Sequence, residues 1–133
     1  METCTVKMHS TGSDIAVYLG FWDTELLDYR EGLLTFDTGA SVTTISKDVL
    51  YELGYNVVDG KTRQITTASG VEYVREVYIE KIRLGDFLLE DVLVYAHTFP
   101  EESFITGVVG LNVLSQFDIN LLFSKRQIVL TKI

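Results

Sequence analysis

The run Leu33-Leu34-Thr35-Phe36-Asp37-Thr38-Gly39-Ala40-Ser41 sets an acid on a tight turn at the end of an apolar strand. Leu33, Leu34 and Phe36 form a short, nearly continuous apolar stretch, the pattern of a strand buried on both faces. Burying that strand makes the position of the carboxylate rigid. Gly39 lets the chain reverse closely, and Thr38 brings a hydroxyl able to lock the turn by hydrogen bonding. Taken alone, an Asp-Thr-Gly triplet also fits a surface turn in which Asp37 merely begins the reversal or caps the next helix. The preceding strand and a second motif decide between the two.

That second motif is Val108-Val109-Gly110-Leu111-Asn112-Val113-Leu114-Ser115-Gln116-Phe117, again an apolar pair, a glycine and then a short helix. By itself it reads as a routine strand-to-helix junction. Together the two resemble the signature of the retropepsin-like aspartic peptidases, in a cellular or bacterial form. Asp37 to Ser41 match its first half unbroken, and Gly110, Asn112, Leu114 and Phe117 match its second. The resemblance implies an all-β retropepsin-like acid protease fold, a closed barrel-like lobe with a psi loop, a flap hairpin and two short helices. It assigns catalysis to Asp37, support of the active-site turn to Thr38, Gly39, Ala40 and Ser41, and support of the psi loop to Gly110 and Asn112. Retroviral members carry Arg after the second glycine and an acid at the position of Ser41. Here Leu111 and Ser41 stand there, so that ion-pair network is missing at both ends.

A chain of 133 residues is expected to form a single domain spanning 1–133, large enough to bury about two thirds of its unfolded surface without a metal or disulfide staple. With 47% hydrophobic residues and a single proline it has no disordered linker. The net charge of −8 disfavours nucleic-acid phosphates. No stretch is apolar for the length of a membrane span, and Met1-Glu2-Thr3-Cys4 lacks the features of a signal peptide, so the expected location is cytoplasmic, with neither nucleic acid nor membrane as partner. Cys4 has no second cysteine to bridge, and His9 and His97 lie far apart without metal-ligand spacing.

The remaining chain reads as strands and turns. Cys4, Val6 and Met8 alternate with polar residues, Thr11-Gly12-Ser13-Asp14 supplies a turn, and Ile15, Val17, Leu19 and Phe21 resume the alternation, which predicts an N-terminal hairpin. The acidic segment 21–32 fits an extended hairpin end or a one-turn helix, with Trp22 packing on its own domain. Ser46 and Gly54 bracket a short helix burying Val49, Leu50 and Leu53. Strands are expected over 61–67 and 71–79, the second with Val71, Tyr73, Val77 and Ile79 on one face, joined by Ala68-Ser69-Gly70. The resemblance makes this hairpin the flap and those three residues its substrate-covering tip; without Asp37 upstream it would be an ordinary surface hairpin. A further hairpin follows around Gly85-Asp86, with His97 at its end in a structural or solvent-facing role. Asp118 to Phe123 and Gln127 to Ile133 form a closing hairpin whose Ile128 and Leu130 either pair across a twofold axis or belong to an internal strand.

Aspartic peptidases need two carboxylates sharing one proton, and this chain carries one Asp-Thr-Gly. The resemblance therefore implies a homodimer in which Asp37 of each copy acts on water bound to a peptide or protein substrate, with no cofactor because the nucleophile is water. A catalytically silent dimer that binds peptides or protein partners is the alternative, and a monomeric β-domain with a vestigial Asp37 a third. Serine in place of Ala40 would stabilise an ionised acid by a hydrogen bond, so alanine is expected to favour activity at weakly acidic or near-neutral pH.

Overall fold

Alternating and doubly apolar segments become strands because each must bury a face, and among the described residues most of the eleven strands do so around one core. The computed structural model describes residues 2–99 and 104–133. In chain order the elements are β1 (Thr3–Lys7), β2 (His9–Thr11), β3 (Asp14–Asp23), β4 (Asp28–Phe36), β5 (Thr43–Ser46), α1 (Lys47–Glu52), β6 (Thr62–Thr67), β7 (Gly70–Leu84), β8 (Phe87–His97), β9 (Gly107–Val109), α2 (Leu111–Leu114), β10 (Phe117–Leu122) and β11 (Gln127–Lys132). A 3-10 turn, Phe123–Lys125, joins the last two.

The strands form two sheets. The smaller has the order β1-β11-β10, and the larger β2-β3-β4-β9-β5-β8-β7-β6. The larger sheet curls until β3 meets β7 through Gly20↔Arg83 and Phe21↔Ile82, a seam of two pairs that leaves it barrel-like without being fully closed. Leu19, Phe21, Leu34, Ile45, Leu50, Ile79, Ile82, Val94 and Val109 from the larger sheet and α1 are buried in one cluster with Ile128 and Leu130 from the smaller. Among the described residues no helix is long and apolar enough to cross a membrane.

Three expectations change in detail, and one alternative is decided. The predicted N-terminal hairpin is split at Met8, whose N–H donates to the Arg126 carbonyl at 2.9 Å. Of the two pieces only β2 pairs with β3, while β1 pairs antiparallel with β11 from Thr3↔Thr131 to Lys7↔Gln127. An alternating pattern fixes which side chains face the core, and Cys4 and Met8 are indeed buried, but it does not name the partner strand. The segment 71–84 is one strand, and its first part runs off the body, so Val71 and Tyr73 are exposed while Val74, Val77 and Ile79 are buried. The strand before Asp37 is buried through Leu34, with Leu33 and Phe36 only half-covered. Lastly, β11 has a neighbour on each edge, so Ile128 and Leu130 belong to an internal strand and are not free to pair across a twofold axis.

Segment 21–32 is the extended hairpin end. Asp23, almost fully buried, accepts the N–H groups of Glu25 and Leu26 through Oδ1, each at 2.9 Å, and so caps its own turn. Trp22 packs on its own chain, edge-on to Tyr29 at 5.2 Å with the Lys81 ammonium 4.3 Å over its ring.

Candidate active site

At the end of β4 the ladder hands the chain to a turn. Strand β9 runs parallel to β4, with Leu34↔Gly107, Thr35↔Val108 and Phe36↔Val109, and antiparallel to β5 on its other side. The Asp37 N–H donates to the Val109 carbonyl at 3.1 Å, so the ladder extends one bond beyond β4 and holds the acid's backbone against β9. From there the chain reverses. The Gly39 N–H donates to Asp37 Oδ1 at 2.8 Å, and the Ala40 N–H to the Asp37 carbonyl at 3.3 Å. A Cβ at position 39 would stand 3.1 Å from that carboxylate oxygen, which makes glycine the fitting residue there.

Helix α2 closes the loop from behind. Leu111 and Asn112 donate their N–H groups to the carbonyls of Ala40 and Ser41 at 2.8 and 3.1 Å. A Cβ on Gly110 would lie 2.7 Å from the Ala40 carbonyl oxygen, so only a glycine allows this approach. Asn112 Oδ1 accepts both the N–H and the Oγ1–H of Thr43, at 2.8 and 2.9 Å, and its Nδ2 donates to the Leu93 carbonyl at 2.7 Å. The fully buried Thr43 hydroxyl in turn accepts the Gly110 N–H at 3.0 Å. One asparagine and one threonine thus tie α2, β5 and β8 together directly behind the Asp37 turn.

Asp37 is half-buried and opens on a cleft of about 720 Å³. The turn residues Gly39, Ala40 and Ser41 line one side of it, and Ile65 to Ala68 of the β6–β7 hairpin line another. Of the expected tip residues, Ala68 reaches the cleft, whereas Ser69 and Gly70 are exposed outside its lining. The tip is closed on itself, with the Ser69 N–H donating to Thr67 Oγ1 and that hydroxyl to the Gly70 carbonyl, both at 3.2 Å. Thr38 is exposed at the apex of the turn. Gly110 and Asn112 stand behind the turn and outside the cleft's lining.

Sequence reasoning missed two sets of residues. Thr43 carries no signal beyond being a β-branched residue in a strand. Glu72, Tyr95, His97 and Phe99 line the same cleft as Asp37, yet in sequence they are scattered over two strands and a loop. His97, expected in a structural or solvent-facing role, bonds Glu72 through Nε2 across the cleft wall.

A model of a family described as aspartyl protease matches residues 28–113, from the first residue of β4 into α2, and so takes in both the Asp37 turn and its Gly110–Asn112 support. The chain belongs to the aspartyl protease family. No curated protein matches the chain by sequence. Among solved structures, the crystal structure of a retropepsin-like aspartic protease from Rickettsia conorii aligns with a TM-score of 0.69 at 14% identity, covering 97% of this chain and 89% of that one. The fold is therefore retropepsin-like, with the two short helices and the crossed β4–β9–β5 strands in their expected places.

Proposed function

We propose that this chain is an aspartic endopeptidase that works as a homodimer, its catalytic pair made of Asp37 from each copy. The observation that carries the reading is the Asp37 turn itself: an acid fixed by the Gly39 amide, braced through β9 and α2, and facing a cleft large enough for a peptide segment. A binding domain has no need of such a brace behind one carboxylate. The exposed Thr38 at the apex leaves the turn open to a twin, and it would brace the two turns across the axis.

Two carboxylates held about 3 Å apart cannot both ionise, so the pair keeps one proton between them. The ionised member takes a proton from a water as the water attacks the scissile carbonyl. The protonated member donates to the carbonyl oxygen, and the resulting tetrahedral intermediate collapses as a proton passes to the leaving nitrogen. Gly39, bare of side chain, lets the substrate backbone approach, and the β6–β7 hairpin acts as the flap through Ala68, Ser69 and Gly70. The whole chain acts as one domain. Because β11 is enclosed on both edges, the interface forms around the Asp37 turns and not through Ile128 and Leu130.

The test is cleavage of a diverse peptide pool from about pH 3 to about pH 8, comparing the protein with Asp37→Asn at equal concentration, with light scattering on both. The expected result is dimers in both cases and a loss of kcat/KM of about a thousandfold or more in the variant. Equal cleavage by the two would remove Asp37 from the chemistry, and dimers without any cleavage would favour a peptide-binding role.

A further inference from the structure

The β7–β8 ladder stops at Arg75↔Ala96, and just beyond that last pair stand Glu72 on β7 and His97 on β8. Glu72 follows the hairpin turn closely and faces Ile65 of β6 on its other side. Whatever holds Glu72 therefore holds the projecting end of the hairpin. His97 supplies that hold: Nε2 bonds Glu72 Oε2, and Nδ1 lies 2.7 Å from the Thr98 carbonyl oxygen.

Both ring nitrogens thus meet acceptors. A carbonyl oxygen never donates, so Nδ1 carries a hydrogen. The contact at Nε2 then needs another proton, placed either on the ring or on the carboxyl. Remove it, and a ring lone pair faces a carboxylate. The pair shares its cleft with residues from four strands and a loop. Ile65 comes from β6, Tyr95 from β8, Thr44 from β5 and Asp37 from the end of β4, while the Phe99 ring stands 5.8 Å from the imidazole. Ser46 of β5 lies in register with His97. Asp37 and Tyr95 are the other titratable groups, and no Lys or Arg is among the described lining residues to take the place of the proton.

We propose that Glu72 and His97 are positioning residues, which by sharing one proton hold the β6–β7 hairpin in place over Asp37 and release it when rising pH removes that proton. The purpose of this hold rests on the peptidase reading; its physical test does not. The tied state binds a proton that the released state lacks, so rising pH favours release, by at most tenfold per pH unit for one proton.

Hydrogen exchange of the backbone amides from Thr66 to Glu72, corrected for intrinsic rates, is measured from about pH 5 to about pH 8. In the wild type, protection falls by up to tenfold per pH unit toward the alkaline end. Glu72→Gln places an amide N–H against a neutral Nε2 and needs no extra proton, so its protection stays high and flat with pH. His97→Phe keeps the ring volume and loses protection throughout. Wild-type protection that ignores pH, a Gln variant that follows the wild-type curve, or a Phe variant as protected as the wild type would each overturn the proposal. If the Phe variant does not fold, the wild-type and Gln curves decide alone. Cleavage is not the readout, so an inactive protein would refute the peptidase reading and leave this result standing, and the reverse holds equally.

Discussion

Thr43 is an uncharged side chain outside the cleft, yet the position of the acid depends on it. Its hydroxyl donates to Asn112 and accepts from Gly110, satisfying two buried groups at once. Thr43→Val keeps the shape and removes both bonds, leaving the Gly110 N–H without its acceptor. The expected cost is about 1 to 3 kcal/mol in urea unfolding, with a fall in kcat beyond what the folded fraction explains, because Gly110 holds the Ala40 carbonyl's neighbourhood. Unchanged stability would mean that water replaces the hydroxyl. At this scale the sequence was legible where a residue type is unusual for its place, as with Asp37, Gly39, Gly110 and Asn112. Thr43, Glu72 and His97 were not legible, because threonine is ordinary in a strand, and a carboxylate and an imidazole on different strands meet only once a register is known.

Between elements, the clearest joint is the hydroxyl of Tyr55. It donates to the Trp22 carbonyl at 2.8 Å at the end of β3 and accepts the Glu80 N–H at 3.3 Å from β7, next to the seam between those strands. Burial pushes the phenol up to about 12, and the nearby charges of Glu80 and Asp23 add to it against the opposing Glu80 amide bond. The folded state thus keeps the proton longer than the unfolded state does. This contribution to stability is complete below about pH 10 and is lost as pH rises toward about 12. Tyr55→Phe should lower stability by about 1 to 2 kcal/mol at neutral pH and should flatten the alkaline decline relative to the wild type. Parallel declines in both proteins would assign the alkaline loss to other groups. Element by element, the sequence showed where strands lie, since alternation and turn residues report local burial. It did not show partners: β1 carries the pattern of a hairpin arm and pairs instead with the last strand, and the alternation of β11 left open whether it lay inside its sheet, as it does.

For the molecule as a whole, the decisive property is that the sequence carries one Asp-Thr-Gly turn. The retropepsin-like lobe fixes Asp37 in its turn, and in the proposed chemistry one carboxylate cannot both activate a water and protonate the carbonyl oxygen. The family and fold follow from the matched segment and from the strand order around β9. The dimer belongs to the proposed mechanism, which needs two such carboxylates. Mixing tests it directly. Wild-type and Asp37→Asn chains are refolded together in varied proportion at fixed total concentration, and peptide cleavage is followed. If each site draws one Asp37 from each of two chains, a mixed pair is inactive and activity falls as the square of the wild-type fraction. A fall in simple proportion to the wild-type fraction would mean that each chain cuts by itself, and would contradict the account.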